Sequence, residues 1–310
     1  MTTPEFEVPP GTEVQDCFFF QVPDLADGAD LWFDRTALAL NPGSHHMNVF
    51  RVKSIVGLDP ADGTPVQLGA ASGTVVHDGE CWNSANWADW PLVGNSQASR
   101  PGDPVLDWRL PDDVAYKLVP GEMLALQVHY VNATTQTTPW HARAGVNFYR
   151  SKDGDTQELG TMFATQQSIR ICRSQPTPSY SGACGLPGGA HTVVAANGHF
   201  HSRGTRFAIY GWDGISTDPP GDDAMFYESD KWAEPDMELG LDVPLADGGG
   251  IWWTCDYQWR EPEVGCAVID EHDPQHAGDC CYTFGGIVEE SEHCNVFLYY
   301  YPKSDDIACF

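Results

Sequence analysis

Short apolar runs separated by turn residues recur along this chain. The first of them, residues 17–22, reads Cys-Phe-Phe-Phe-Gln-Val. Runs of this length that are rich in aromatic and β-branched residues and bounded by Gly, Pro, Asp and Asn predict strands. The predicted strands are 17–22, 31–33, 46–52, 123–131, 144–150, 161–172, 190–201, 205–212, 250–258 and 294–301. Long stretches with a helical period are missing, so the pattern predicts an all-β protein of the sandwich or jelly-roll type.

The segments between these runs predict loops. Residues 1–16 form a Pro-rich, acidic lead-in, and residues 77–105 form an irregular, Trp-rich stretch that we expect to be a long ordered loop. Residues 213–248 and 259–285 are expected to be turn-rich insertions.

The length of 310 residues is enough for one large or two ordinary domains. The polar residues 151–158 interrupt the strand pattern, and we place a domain boundary directly after them. The predicted domains are therefore 1–158 and 159–310.

The formal net charge is −28, with only 16 lysines and arginines in the chain. This charge opposes binding to nucleic acid or to anionic membranes, and no apolar run is long enough for a transmembrane helix. The first residues lack the basic and apolar regions of a secretory signal, so we expect any signal peptide to be missing from this sequence.

Ten cysteines form an even set without a Cys-x-x-Cys pair. This pattern indicates disulfides and an oxidising compartment rather than a zinc ribbon, and it predicts a secreted, periplasmic or extracellular protein. The adjacent Cys280 and Cys281 are expected to pair with different partners, because a bridge between neighbours is strained.

Histidine patterns supply the candidate chemistry. His199 and His201 are one residue apart in a predicted strand, where alternate side chains point to the same face, so they form half of a possible metal site. His293 is the best distant third ligand. The alternative interpretation is two surface histidines on the wet face of a strand.

A second possible site begins at His45 and His46. Neighbouring residues of a regular strand face opposite sides, so both can reach one ion only where the strand starts or bulges. His129, in the middle of a predicted strand, is the candidate third ligand, although a lone histidine there is more often a satisfied core residue. Imidazoles suit copper, zinc, iron and nickel, and three of them with an open position also suit a catalytic zinc.

Five short motifs carry a resemblance to a known family. They are His45-His46-Met47, Leu126-Gln127-Val128-His129-Tyr130, His199-Phe200-His201, Gly285-Gly286, and Glu292-His293-Cys294-Asn295 leading to Tyr299-Tyr300. In this order, from Cys17 to Cys309, the chain resembles the copper type II, ascorbate-dependent monooxygenases, which include peptidylglycine α-hydroxylating monooxygenase and dopamine β-monooxygenase.

The resemblance implies two antiparallel jelly-roll domains that face each other across a cleft, each with one copper. His45, His46 and His129 would hold the copper that stores and delivers an electron. His199, His201 and His293 would hold the catalytic copper that binds O2 and hydroxylates a C–H bond of a small molecule. Ascorbate would supply two electrons.

The resemblance also implies supporting residues. Gln127 would lie beside His129, in a position to orient a ligand. Cys17 would pair with Cys81, and Cys255 with Cys294, the second bridge clamping the strand of His293. Cys309 would tie the C-terminus to Cys184 or Cys172.

The chain departs from the family at several positions. His293 stands where the family has methionine, so a strong imidazole replaces a soft, weak thioether. Asn197 replaces an arginine that binds the peptide carboxylate in the peptide-hydroxylating relatives, and Phe297 replaces a tyrosine, whereas Asn295 is kept. A glycine-extended peptide is therefore disfavoured, and the acidic charge and many tryptophans favour an amine or an aromatic compound.

Two other functions remain open at this point. The first is a non-catalytic copper-binding or redox protein on the same fold, in which His293 has quenched oxygen activation. The second is a zinc-dependent hydrolase that uses His199, His201 and His293, for which no His-Glu-x-x-His motif supplies a general base.

Overall fold

The chain is all-β. The computed structural model describes residues 1–25, 28–53, 56–58, 65–67, 72–77, 81, 90–97, 104–134, 137–151, 157–261, 277–304 and 307–310. Within these residues there are 26 strands and one short 3-10 helix, Asp222–Ala224. The described ranges contain no helix that is long and apolar enough to cross a membrane.

The chain divides into two compact units. The first comprises Met1–Thr161 and Tyr301–Asp306, and the second comprises Met162–Tyr300 and Ile307–Phe310. The chain leaves the first unit three residues beyond the boundary predicted after residue 158.

The strands up to residue 158 are antiparallel almost throughout. They are β1 Phe6–Val8, β2 Thr12–Gln21, β3 Leu31–Leu40, β4 Ser44–Arg51, β5 Val56–Leu58, β6 Pro65–Gln67, β7 Val75–His77, β8 Leu92–Ser96, β9 Val105–Arg109, β10 Val114–Leu118, β11 Met123–Asn132, β12 Trp140–Ala142, β13 Ala144–Arg150 and β14 Gln157–Glu158.

Two five-stranded sheets dominate the first unit. One has the order β7-β2-β11-β4-β8, and the other joins β13, β3, β10 and β14 with β9 beside β3. In the first of these sheets, β2 pairs with β11 over ten residues without a break. The hydroxyl of Tyr116 on β10 donates to the carbonyl of Leu92 on β8, which ties the two sheets together.

Two loop predictions for the first unit are wrong. The expected lead-in 1–16 contains β1 and the first half of β2, which starts at Thr12 rather than at Cys17. The expected loop 77–105 contains β8, whose five residues are all buried and which pairs with β4. Most of the rest of that loop lies outside the described residues.

The remaining strands build the second unit. They are β15 Gly160–Thr165, β16 Arg170–Cys172, β17 Ser179–Gly185, β18 His191–His199, β19 Gly204–Trp212, β20 Met225–Ser229, β21 Glu238–Leu245, β22 Gly250–Tyr257, β23 Cys281–Phe284, β24 Ser291–Glu292, β25 Asn295–Tyr301 and β26 Ile307–Cys309. They form sheets of order β21-β18-β25-β15-β26, β17-β22-β19-β20 and β16-β23-β24. A single apolar core joins the three sheets, with Trp253, Phe200, Phe207 and Tyr300 among its largest side chains.

The prediction of a turn-rich insertion at 213–248 is also wrong, because this segment contains β20, which pairs with β19, and β21, which pairs with β18. Leu239, Leu241 and Val243 alternate with exposed residues along β21. β21 is an edge strand, and an edge tolerates Pro244, which has no N–H for a further neighbour. The predicted strand 161–172 is two strands, β15 and β16.

Disulfides close both units, which is compatible with an extracellular location. The predicted bridges Cys17–Cys81 and Cys255–Cys294 are confirmed. Of the two partners considered for Cys309, the structure has Cys184, and Cys172 pairs with Cys281. Cys280 is disulfide-bonded separately from Cys281, as predicted, and Cys266 lies outside the described residues.

Candidate metal centres

Three histidines of the first unit meet on one sheet. His45 and His46 lie on β4, and His46 is opposite His129 on β11. The next pair along the ladder joins Tyr130 to Ser44, so His45 is the extra residue of a β-bulge. The strand irregularity expected at this point is confirmed. It lets the neighbouring side chains of His45 and His46 both approach His129.

These three residues, here called the first histidine cluster, are mutual neighbours. The ring centroids are 5.3 Å apart for His45 and His46, and 5.1 Å from each of these to His129. Each ring offers a nitrogen within 4.8 Å of the other two, and no residue of the three is more than 5% exposed. Three buried imidazoles in this arrangement are a donor set for copper, zinc, iron or nickel.

A carboxylate on β2 sets the tautomer of His129. Oε2 of Glu13 lies 2.8 Å from Nε2 of His129. An ionised carboxylate only accepts hydrogen bonds, so Nε2 carries the proton and Nδ1 keeps a lone pair. Nδ1 of His129 is buried and makes no hydrogen bond to any described residue. A buried acceptor of this kind fits a metal ligand, because a bound ion would satisfy it.

Gln15 approaches the same ring nitrogen. It lies opposite His129 in the β2–β11 ladder, and its side-chain amide is 3.2 Å from Nε2. An amide N–H and a ring N–H cannot both point into that gap, so donation to Glu13 favours the amide orientation with oxygen toward the ring. Glu13 and Gln15 were missed at the sequence level because the lead-in interpretation placed them before the first strand.

Gln127 lies on the same sheet face as His129, two residues earlier on β11. It is opposite Asn48, whose Nδ2 donates to Oε1 of Gln127 at 2.9 Å. Both residues are buried. Gln127 and Asn48 are thus a hydrogen-bonded pair of side-chain amides. Each lies two residues along its strand from a histidine of the cluster, Gln127 from His129 and Asn48 from His46.

Three histidines of the second unit form the second histidine cluster. The ring centroids are 5.4 Å apart for His199 and His201, 5.3 Å for His199 and His293, and 4.4 Å for His201 and His293. All three residues are at most 2% exposed. The structure therefore brings together the three residues that the sequence nominated for the second site.

The route by which His201 reaches this cluster differs from the prediction. β18 ends at His199, and His201 lies in the turn that follows, where the N–H of Gly204 donates to its carbonyl at 3.0 Å. The prediction that both histidines lie on one strand is wrong for His201. The turn, rather than strand alternation, brings the two rings together.

A backbone carbonyl sets the tautomer of His201. Nδ1 of His201 is 2.9 Å from the carbonyl oxygen of Ser291. A carbonyl only accepts, so the proton is on Nδ1 and the lone pair is on Nε2. His201 would therefore bind a metal through Nε2, whereas His129 would bind through Nδ1.

Glu292 clamps the turn of His201. Its Oε2 accepts the N–H of His201 and its Oε1 accepts the N–H of Arg203, each at 2.8 Å. The residue is fully buried, and burial raises the pKa of the Glu292 carboxyl to about 7, although the N–H and the charge of Arg203 oppose the rise. The carboxylate fastens the 201–203 turn to the residue that precedes His293.

Arg203 completes this clamp. Its Nη1 donates to the carbonyls of Val288 at 2.6 Å and Ser291 at 3.3 Å, and its Nη2 donates to the carbonyl of Glu289. The guanidinium lies 3.8 Å from the ring centroid of Tyr282. Neither Arg203 nor Glu292 was predicted to have a role. The only sequence signal was that Glu292 directly precedes His293.

His293 is held by its neighbours on three sides. The hydroxyl of Tyr257 donates to its carbonyl, and the ring of Phe284 lies 5.0 Å from its ring. The next residue, Cys294, is bridged to Cys255 on β22. These contacts hold the backbone at His293 and place an aromatic ring beside its imidazole.

Two asparagines accompany the second histidine cluster. Asn197 is two residues before His199 on β18, and Asn295 opens β25 two residues after His293. Both are at most 2% exposed. Oδ1 of Asn295 makes no hydrogen bond to any residue in the described ranges, so it offers a buried acceptor near the cluster.

The other described histidines lie apart from these groups. The side chains of His77 and His141 are mostly exposed and pair with Asp16 and Glu5. His191 is buried, with Nε2 3.1 Å from the carbonyl oxygen of Pro187.

Comparisons with known proteins add little to this geometry. No family model matches the chain, and no curated protein matches it. Among solved structures, the VP2 subviral particle of infectious bursal disease virus aligns at 8% identity and a TM-score of 0.21, over 96% of this chain and 70% of that one. The same virus's Gx strain aligns at 8% identity and a TM-score of 0.19, over 97% of this chain and 76% of that one. Likeness at this level carries no argument.

Proposed function

We propose that this chain is a copper- and ascorbate-dependent monooxygenase that hydroxylates a C–H bond of a small organic substrate. The observation that carries the proposal is the pair of buried three-histidine clusters, one in each unit. In each cluster an acceptor outside the ring fixes one tautomer and directs a lone pair to a single nitrogen. The resemblance in motif order to the copper type II monooxygenases supports copper over other metals.

The proposed reaction uses two sites of this kind. When bound, the two ions would supply one-electron exchange with ascorbate and the activation of O2. One oxygen atom enters the substrate C–H bond and the other leaves as water, with two electrons from ascorbate and two protons. The first histidine cluster would hold the electron-storing ion, and the second would hold the ion at which substrate is hydroxylated.

The residues of the chain have the supporting roles in this proposal. Glu292 and Arg203 hold the turn that carries His201, and the Cys255–Cys294 bridge with Tyr257 holds the segment of His293. A rigid ligand set keeps an open coordination position in place, which oxygen chemistry requires.

His293 favours one alternative function. The family has a thioether at this position, and an imidazole is a harder, stronger ligand that favours Cu(II). A non-catalytic copper-binding or redox protein on the same fold therefore remains the second candidate. A zinc hydrolase is less well supported, because both oxygens of Glu292 already accept backbone N–H groups and are not available as a general base.

The substrate we propose is an amine or an aromatic compound. Asn197 is where the peptide-hydroxylating relatives carry a carboxylate-binding arginine, and it leaves no cation for a peptide C-terminus at that position. The net charge of −28 and the 11 tryptophans suit a cationic or aromatic molecule. The proposal includes the finer fold implied by the resemblance, two jelly-roll domains, and a secreted or periplasmic location.

The test is copper stoichiometry and turnover in matched variants. We expect two coppers per chain, both reduced by anaerobic ascorbate as followed by EPR. His201→Ala should retain one copper and form no hydroxylated product from a panel of amines and aromatic compounds. His141→Ala, which removes an exposed histidine, should retain both coppers and the activity.

Three results would decide against the monooxygenase. Hydroxylation that survives His201→Ala would remove the second histidine cluster from the chemistry. Two reducible coppers without oxygen uptake coupled to any substrate would favour the redox protein. Failure of the wild-type chain to bind copper would reject both candidates.

A further inference from the structure

The two histidine clusters differ in what supports them. Both contain three histidines, so residue type alone does not distinguish them. In the first cluster the carboxylate of Glu13 lies behind the ring of His129. In the second cluster the neutral carbonyl of Ser291 lies behind the ring of His201.

The charge next to the second cluster is compensated. The carboxylate of Glu292 accepts two backbone N–H groups, and the guanidinium of Arg203 lies 3.6 Å away. Whether Glu292 is ionised or protonated, this pair adds no net negative charge beside the His201 ring. Its contacts are also to the backbone of the turn rather than to an imidazole.

The charge next to the first cluster acts directly on a ring. The side chain of Glu13 is 11% exposed and that of His129 is fully buried, so solvent screens their contact only weakly. The hydrogen bond joins Oε2 to the N–H of the ring itself. A carboxylate in this position draws the ring proton toward itself and makes the opposite nitrogen a stronger donor.

We propose that Glu13 is a positioning residue of the first site, which fixes His129 for ligation through Nδ1 and makes that site favour Cu(II) over Cu(I) more than the second site does. The inference rests on the proposed function, because it requires copper at the first histidine cluster. Negative charge beside a metal stabilises the more highly charged ion, so Cu(II) gains more than Cu(I).

This asymmetry has a consequence for the proposed division of labour. With His293 in place of methionine, ligand type alone no longer makes the two sites different. A first site that favours its oxidised ion gives up a stored electron more readily. Glu13 would thus preserve a direction for electron transfer that the ligand replacement has weakened.

The first measurement needs no metal. In the metal-free full-length protein, 15N-edited histidine NMR reports which ring nitrogen carries the proton. We expect His129 to be the Nε2–H tautomer in the wild type and that preference to weaken in Glu13→Gln, which keeps the size of the side chain but replaces its charged acceptor with a weaker, neutral one. Glu5→Gln is the matched control, because it breaks an exposed carboxylate–histidine pair with His141 in the same unit.

The second measurement is the copper affinity of each site in both oxidation states. Loss of a group that hydrogen-bonds to a metal ligand typically costs about 10–100-fold in affinity. We expect a loss of this size for Cu(II) at the first site in Glu13→Gln, a smaller loss for Cu(I), and no change at the second site. Glu5→Gln should leave all four affinities unchanged.

A second variant keeps the test decisive if Glu13→Gln does not fold. Glu13→Asp keeps the charge but shortens the side chain by one methylene, so the tautomer preference should weaken while much of the preference for Cu(II) remains. An unchanged His129 tautomer, or equal losses for Cu(II) and Cu(I), would overturn the role of Glu13. Absence of copper from the first site of the wild type would instead reject the proposed function.

Discussion

At the scale of single residues, the candidate ligands were readable from the sequence, and their supports were not. His45, His46, His129, His199, His201 and His293 stand in recognisable motifs. Glu13 and Arg203 stand in none, and their roles follow from contacts with residues 85 to 116 positions away. A motif records neighbours along the chain, whereas a hydrogen bond joins residues that only folding brings together.

The residue that most distinguishes this chain from the family is His293. In His293→Met the second site should gain affinity for Cu(I) relative to Cu(II), because a thioether is a softer ligand than an imidazole. The first site should be unaffected, since His293 is not one of its proposed ligands. Site-resolved Cu(I) competition titrations measure this, and an unchanged second site would remove His293 from the ligand set.

At the scale of elements, strand irregularities place the ligands. The bulge at His45 gives adjacent histidines access to one place, and the turn after β18 brings His201 to His199. Gly198, on β18 just before the turn, and Gly204, which opens β19 just after it, leave room for buried aromatic rings. A Cβ on Gly198 would lie 2.3 Å from the ring of Phe207, and one on Gly204 would lie 2.0 Å from the ring of Phe200.

Gly198→Ala therefore tests the turn. The added methyl group must displace a buried ring, so we expect a loss of about 1–3 kcal/mol in the free energy of unfolding. Because Gly198 directly precedes His199, copper affinity at the second site should also fall. Chemical denaturation and copper titration measure the two effects.

Gly185→Ala is the matched control, because a Cβ at Gly185 on β17 meets nothing within 4 Å. Its effect on stability should stay within about 0.5 kcal/mol. Equal effects of the two substitutions would show that the packing of Phe207 does not constrain the turn.

At the scale of the whole molecule, disulfides link distant parts of the second unit. Cys255–Cys294 closes a sequence separation of 39 residues beside His293, and Cys184–Cys309 closes 125 residues and ties down the C-terminal strand β26. The longer loop should contribute about 1 kcal/mol more to stability in the chain-entropy account. Only the shorter one lies next to a candidate ligand.

The double variant Cys255→Ala/Cys294→Ala should separate these two roles. We expect it to lose about 2–5 kcal/mol of stability and to bind copper more weakly at the second site, because His293 loses its neighbouring anchor. Cys184→Ala/Cys309→Ala should lose at least as much stability while its second-site copper affinity stays within a few-fold of the wild type, as measured well below the unfolding transition. The opposite ranking of copper affinities would contradict the clamp.

The sequence by itself determined the all-β class and many of the longer strands, because alternation and turn residues act over a few positions. The resemblance in motif order supplied the disulfides Cys17–Cys81 and Cys255–Cys294 and completed the two sets of histidines. The local pattern misassigned β21, although Leu239, Leu241 and Val243 alternate, because Gly240, Asp242 and Pro244 lie between them. Strand pairing, rather than propensity, makes that segment a strand.

Only the tertiary structure decided which nitrogen of each supported histidine is available. The proton on His129 is placed by Glu13 from another strand of its sheet, and the proton on His201 is placed by the carbonyl of Ser291. Both partners are remote in sequence, and the tautomer depends on hydrogen bonds at about 3 Å or less. The ligands of the proposed sites were therefore predictable from the sequence. The ring nitrogen that each supported histidine offers, and the charge beside it, were not.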